Sequence, residues 1–95
     1  MEIKKEKTDG KLTLAPLGRL DTVTSPELEA AIDYDGVNEL VFDLAGIDYV
    51  SSAGLRVLLS AQKKMAGGKM TIVNACAPVR EVFDITGFSD IFTIL

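Results

Sequence analysis

Tyr49-Val50-Ser51-Ser52-Ala53-Gly54-Leu55-Arg56-Val57-Leu58-Leu59 interrupts an apolar run with two serines and a glycine, then resumes as an amphipathic pattern. Leu55, Leu58 and Leu59 recur at helical spacing, so the stretch predicts a strand, a tight corner and the first turns of a helix. Ser51 or Ser52 can cap that helix, because a side-chain oxygen there accepts from an amide the first turn leaves free. A cap is the simpler reading of such serines, but the corner also carries an exposed hydroxyl.

The pattern continues to Met65 or Ala66 and stops at Gly67-Gly68, with Lys63 and Lys64 in the last turn, where the helix dipole favours cations. Met70 to Val73 predicts a buried strand. Pro78 opens a further helix with Val79, Val82 and Phe83 on one face and Gly87 as its stop, and Ile91 to Leu95 forms a terminal edge strand. Upstream, Glu2 to Lys7 and Lys11 to Leu17 read as strands joined through Asp9-Gly10, a pair that tolerates the positive φ of a tight hairpin. Gly18 to Thr22 reads as a loop. Thr24-Ser25-Pro26-Glu27 starts a short helix, either with Ser25 as cap and Pro26 at the first position or with Thr24 and Glu27 as a capping box. Val37 to Leu44 then suits an interior strand covered on both faces. The order β-β-α-β-α-β-α-β predicts a single α/β domain over residues 1–95. Its mixed sheet has an N-terminal hairpin, parallel central strands and about three packed helices.

Composition removes several function classes. The chain has no histidine, hence neither the commonest general base near neutral pH nor the commonest transition-metal ligand, and a serine nucleophile would lack its base. Asp21, Asp43 and Asp48 sit at expected strand ends or loops, where turn-forming aspartates are routine, so neither a metal site nor a cofactor is expected. Cys76 is the lone cysteine and has no charged neighbour to activate it. Gly67-Gly68-Lys69 follows a helix and precedes a strand, the reverse of a phosphate-cradling loop. A net charge of −4 without a basic patch argues against direct nucleic-acid binding. No apolar run approaches membrane length and Met1-Glu2-Ile3-Lys4-Lys5 does not open a signal peptide, which predicts a cytoplasmic protein without membrane insertion.

Gly18-x-Leu20-Asp21, the Leu40-Val41-Phe42-Asp43-Leu44 strand, the Ser51-Ser52-Ala53-Gly54-Leu55 corner and the Pro78…Phe83…Gly87 helix together resemble the STAS domain of anti-sigma factor antagonists. The resemblance covers nearly the whole chain. It implies that Ser52 is the serine phosphorylated by a partner anti-sigma factor with serine kinase activity, and that a phosphatase reverses the modification. It further implies a partner-binding surface at Asp21, Ser51, Ser52, Gly54 and Arg56, and a protein that is monomeric when free. Ser51 stands where well-known members carry an aspartate, and the chain stops soon after the third helix where several continue into another. A phosphate on Ser52 would sit at a helix start that attracts anions, so it should change the docking surface and not the fold. Arg56, four residues on, could pair with it. STAS-like domains also serve as constitutive subunits of membrane transport complexes, including lipid transporters. In that alternative Ser52 would be only a helix cap.

Overall fold

Asp9 and Gly10 take positive φ angles of 49° and 82°, as the expected hairpin turn requires. The strands they join, β1 (Glu2–Thr8) and β2 (Lys11–Leu20), pair antiparallel from Thr8↔Lys11 to Glu2↔Leu17. The computed structural model describes residues 1–95. It continues with α1 (Ser25–Ala31), β3 (Glu39–Asp43), β4 (Ile47–Val50), α2 (Ser52–Lys64), β5 (Lys69–Val73), α3 (Ala77–Thr86), a 3-10 turn over Phe88–Asp90 and β6 (Thr93–Ile94). The strand order is β1-β2-β3-β5-β6, with β4 also paired to β2, and every pairing after the hairpin is parallel.

From β2 through β3 and β5 to β6 the chain steps always in one direction across the sheet. Right-handed crossovers then place every connecting helix on the same face. Leu12 and Leu14 of β2, Leu40 and Phe42 of β3, and Met70 and Ile72 of β5 meet Leu28, Leu55, Leu58, Val79 and Phe83 of the helices in one 21-residue cluster. Val41 is buried but lies outside that cluster, aligned with Thr13 and Thr71 on the opposite side of the pleat. The expectation that β3 is covered by helices on both faces is therefore corrected: its continuous apolar run has one helix-packed side.

Two further corrections concern β2 and its neighbours. Gly18 to Leu20 do not leave the sheet; β2 runs on to Leu20, pairing first with β3 over Lys11–Leu14 and then with β4 over Gly18–Leu20. The expected strand over Val37–Leu44 is in fact β3, ending at Asp43, followed after a short turn by the separate β4. A side chain on Gly46 would come within 2.2 Å of the Leu17 side chain, so a residue without Cβ suits this turn where it passes β2. The Asp43 carboxylate holds the same turn, accepting from the Ala45 amide and from the Asn74 side chain, each at 3.1 Å.

At α1, neither anticipated cap forms. Thr24 precedes the helix without a side-chain capping bond, and Glu27 pairs with the Met1 amine at 3.1 Å in place of closing a capping box. Helix α3 behaves as its punctuation predicts, with proline in its first turn and Gly87 at φ 81° as its left-handed stop. No helix is long and apolar enough to cross a membrane.

Candidate functional site

Leu20 and Val50 end two adjacent parallel strands in register, so the segments that follow them emerge side by side. The Ser51 amide donates to the Leu20 carbonyl at 2.8 Å and ties the two exits together. Asp21 thus comes beside the corner Ser51-Ser52, at the carboxyl end of parallel strands where α/β folds present their binding residues.

Ser51 is the cap of α2. Its backbone is extended (φ −89°, ψ 175°) and its hydroxyl oxygen accepts from the Gly54 amide at 3.3 Å. Ser52 is the first helical residue, is exposed, and its hydroxyl makes no hydrogen bond within the chain. The idea that Ser52 serves only as a cap is corrected by this division of labour, because the neighbouring serine does the capping.

Gly54 is buried. A Cβ there would stand 2.9 Å from the Leu20 Cβ, 3.1 Å from Val50 Cγ1 and 3.2 Å from the Leu20 carbonyl. The glycine lets the start of α2 settle against the two strand ends. Its place is therefore inside the corner, where it shapes the surface without presenting a side chain to a partner.

Asp21 organises the loop between β2 and α1. Its Oδ1 accepts from the amides of Val23 and Thr24, both at 2.9 Å, and lies 3.1 Å from the Thr24 hydroxyl. These amides, the Thr24 amide foremost, hold the carboxyl below the usual carboxylate range against a smaller opposing cost of desolvation, with the Thr24 hydroxyl and Arg19 assisting. Asp21 is consequently an anion that fixes its own loop. Thr24 in turn donates its hydroxyl to the Arg19 carbonyl and accepts from the Asp21 amide at 3.0 Å, an arrangement that replaces the expected caps of α1.

Arg56 lies on the exposed side of α2, one turn beyond Ser52, and has no ion-pair partner. Asp48 is the extra residue of a bulge in β4, since Gly18 pairs with Ile47 but Arg19 with Tyr49. The bulge turns both Asp48 and Tyr49 to solvent, and the Arg19 guanidinium sits 4.5 Å from the centre of the Tyr49 ring. Val23, 74% exposed, projects from the Asp21 loop. Arg19, Tyr49 and Val23 were not among the residues expected from sequence. A pattern of apolar positions marks Tyr49 as strand but says nothing of the register that brings Arg19 onto it. Nowhere do three His, Cys, Asp or Glu side chains gather as a metal site would need.

The corner brings together an unbonded hydroxyl at a helix start, a fixed carboxylate beside it, an unpaired guanidinium one turn away and a rim of exposed aromatic and aliphatic side chains. Comparison with known proteins identifies relatives of the whole chain. Residues 2–95 match the family model described as STAS domain. The chain is 37% identical over 99 residues to BtrV of Bordetella bronchiseptica, a protein named as an anti-sigma factor antagonist, with 99% of this chain and 85% of that protein covered. It superimposes on the crystal structure of an anti-sigma factor antagonist from Mycobacterium paratuberculosis with a TM-score of 0.86 and 28% identity, covering 98% of this chain and 83% of the other. The Bacillus cell fate determinant SpoIIAA in its phosphorylated form shares the fold, with a TM-score of 0.75 at 18% identity over 99% of this chain and 91% of that one.

Proposed function

The chain belongs to the STAS domain family, among relatives named as anti-sigma factor antagonists, and from that membership we propose that it is a phosphorylation-switched binding module. Such relatives are regulatory binding proteins and not enzymes. In this reading the unphosphorylated protein acts in the cytoplasm as a monomer and binds an anti-sigma factor with serine kinase activity, so that a sigma factor is released. The partner transfers the γ-phosphoryl group of ATP to the Ser52 oxygen, the hydroxyl proton leaves to a base on the kinase, and ADP departs. A phosphatase restores the hydroxyl.

The observation that carries this reading is the free, exposed hydroxyl of Ser52 at the first residue of α2, while Ser51 supplies the cap. A phosphate there brings about −1.5 to −2 charges, which the amides and dipole of the helix start tolerate. The same charge beside Asp21 repels a docked partner that was complementary to a hydroxyl. Asp21, Ser51, Ser52 and Arg56 form the proposed contact surface, with Gly54 beneath it. Arg56 recognises the partner before modification and can pair with the phosphate after it.

The test is intact mass and fragment mapping of the purified protein after incubation with ATP and a lysate of its source cells. A single phosphate on Ser52 is the expected result. Its absence, or its appearance on another residue alone, would leave the switch without its chemistry.

A further inference from the structure

Thr22 and Ala53, the residues that follow Asp21 and Ser52, open a groove between α1 and α2 with a volume of about 660 Å³. Pro26, Ala30, Ala53 and Val57 leave it unfilled because their side chains are short. The two walls differ in charge. Arg56 and Lys64 stand on the α2 side without a carboxylate partner, and Glu29 stands on the α1 side. Eight residues separate the two cations, which at 1.5 Å per residue is about 12 Å along the helix. At the far end the Lys64 ammonium lies 5.1 Å from the centre of the Tyr34 ring and closes the trough.

We propose that this groove extends the docking surface and takes an amphipathic helix of the anti-sigma partner, with carboxylates along its α2 flank. The proposal rests on the partner-binding reading above. A mixed trough, with Pro26, Ala30, Ala53 and Val57 as its apolar part and charged side chains on its walls, matches the helix-in-groove mode of recognition, where apolar anchors fill the floor and flanking charges fix orientation. Two acids about seven residues apart on the incoming helix span roughly 10–11 Å and so reach Arg56 and Lys64 together. Glu29 opposes the same acids on the other wall, so only one orientation of the incoming helix satisfies both sides. Arg56 belongs to both the corner and the groove, and it joins the part of the surface that phosphorylation changes to a part that it leaves alone.

The experiment follows backbone amide resonances of the isotope-labelled whole chain. The probe is a synthetic helical peptide bearing a leucine face and two glutamates about seven residues apart, beside a control peptide with lysines in their place. The expected result is shifts confined to the groove, at Ala30, Ala53 and Val57, with the glutamate peptide alone. Lys64→Glu should weaken its binding by roughly tenfold, about 1.4 kcal/mol. Ala30→Trp, at an exposed position, should block the groove sterically while circular dichroism reports an unchanged fold. The proposal is overturned by an absence of shifts, by equal shifts with the lysine peptide, by tighter binding of octanoate than of the peptide, or by self-association of the chain through this face in light scattering. The peptide needs no kinase and no phosphate, so failure here leaves the Ser52 switch standing, and failure of the switch leaves this measurement readable.

Discussion

The Ser51 hydroxyl accepts the Gly54 amide at 3.3 Å, and this one bond separates the roles of two adjacent serines. Ser51→Ala leaves that amide without its partner at a half-buried corner and should cost about 1 kcal/mol. For a domain of this size that is a fall of roughly 4–8 °C in thermal midpoint. Ser52→Ala removes a hydroxyl with no bond to lose and should leave the stability within about 0.5 kcal/mol of the parent. Thermal denaturation of the two variants side by side makes the check; equal losses would mean that Ser52 shares the cap.

Gly54 and Gly46 both lie close to β2, but the atoms they face differ in their freedom to move. Gly54→Ala would press its methyl onto the Leu20 Cβ and carbonyl, atoms fixed by the strand. The expected loss is about 1–3 kcal/mol, as for overpacking elsewhere. Gly46→Ala meets the terminal methyl of half-buried Leu17, which can rotate aside, so its loss should be smaller. Urea denaturation of both variants tests the order, and a costlier Gly46→Ala would show that Leu17 is held in place.

Much of this fold was legible because local chemistry and final position agree. Asp9-Gly10 predicts a hairpin through its own backbone preference, and the spacing of Leu55 and Leu58 or of Val79 and Phe83 reports the buried side of a helix directly. The strand leading into the corner was expected, but β4 was missing from the predicted element order because its bulge at Asp48 gives Ile47-Asp48-Tyr49-Val50 an in-out-out-in pattern with no period of two. Gly18 looked like the end of a strand, yet β2 runs on through it at a positive φ of 107°, which glycine adopts without strain, where the strand exchanges one neighbour for another. The corner itself was readable as a turn into a helix start with a serine cap, and only the structure assigns that cap to Ser51 and not to Ser52. What surrounds it was not: Arg19 reaches Tyr49 only through the β2–β4 register, and Asp21 stabilises its loop through amides that no side-chain pattern reveals.

Leu58 is fully buried in the central cluster, as the helical spacing requires. Leu58→Ala should cost on the order of 2–5 kcal/mol, with the exact value set by how far its neighbours relax into the cavity. Denaturant titration reads this as a lower midpoint at an unchanged slope. A loss below the range would mean that the core around α2 closes over the missing side chain.

Asp21 ionises more readily in the folded chain than in the unfolded one, because amides stabilise its charged form. Its contribution to stability is therefore present above the ordinary aspartate pKa of roughly 4 and is lost as pH falls through the lower folded value. Asp21→Asn keeps an oxygen that can accept from Val23 and Thr24 but removes the titration. The variant should be somewhat less stable than the parent at neutral pH and should lose less on acidification below roughly pH 4. Thermal midpoints measured across that range decide it, and parallel curves for the two proteins would remove Asp21 from the acid response.

Ser52→Asp places one negative charge where phosphorylation would place about two. The position begins α2, is exposed, and has no hydrogen bond to lose, and acids in a first helical turn are favourable to the helix. Circular dichroism and thermal midpoint should therefore match the parent closely. Binding to the anti-sigma partner should fall by at least roughly tenfold, which corresponds to 1.4 kcal/mol, since the new carboxylate adjoins Asp21 and takes the place of an uncharged hydroxyl. Ser52→Ala should bind as the parent does and should resist phosphorylation. Calorimetric titration of the three proteins against the same partner separates charge from shape: weakening by Asp alone supports a charge-operated switch, whereas equal weakening by Ala would assign the hydroxyl itself to the contact.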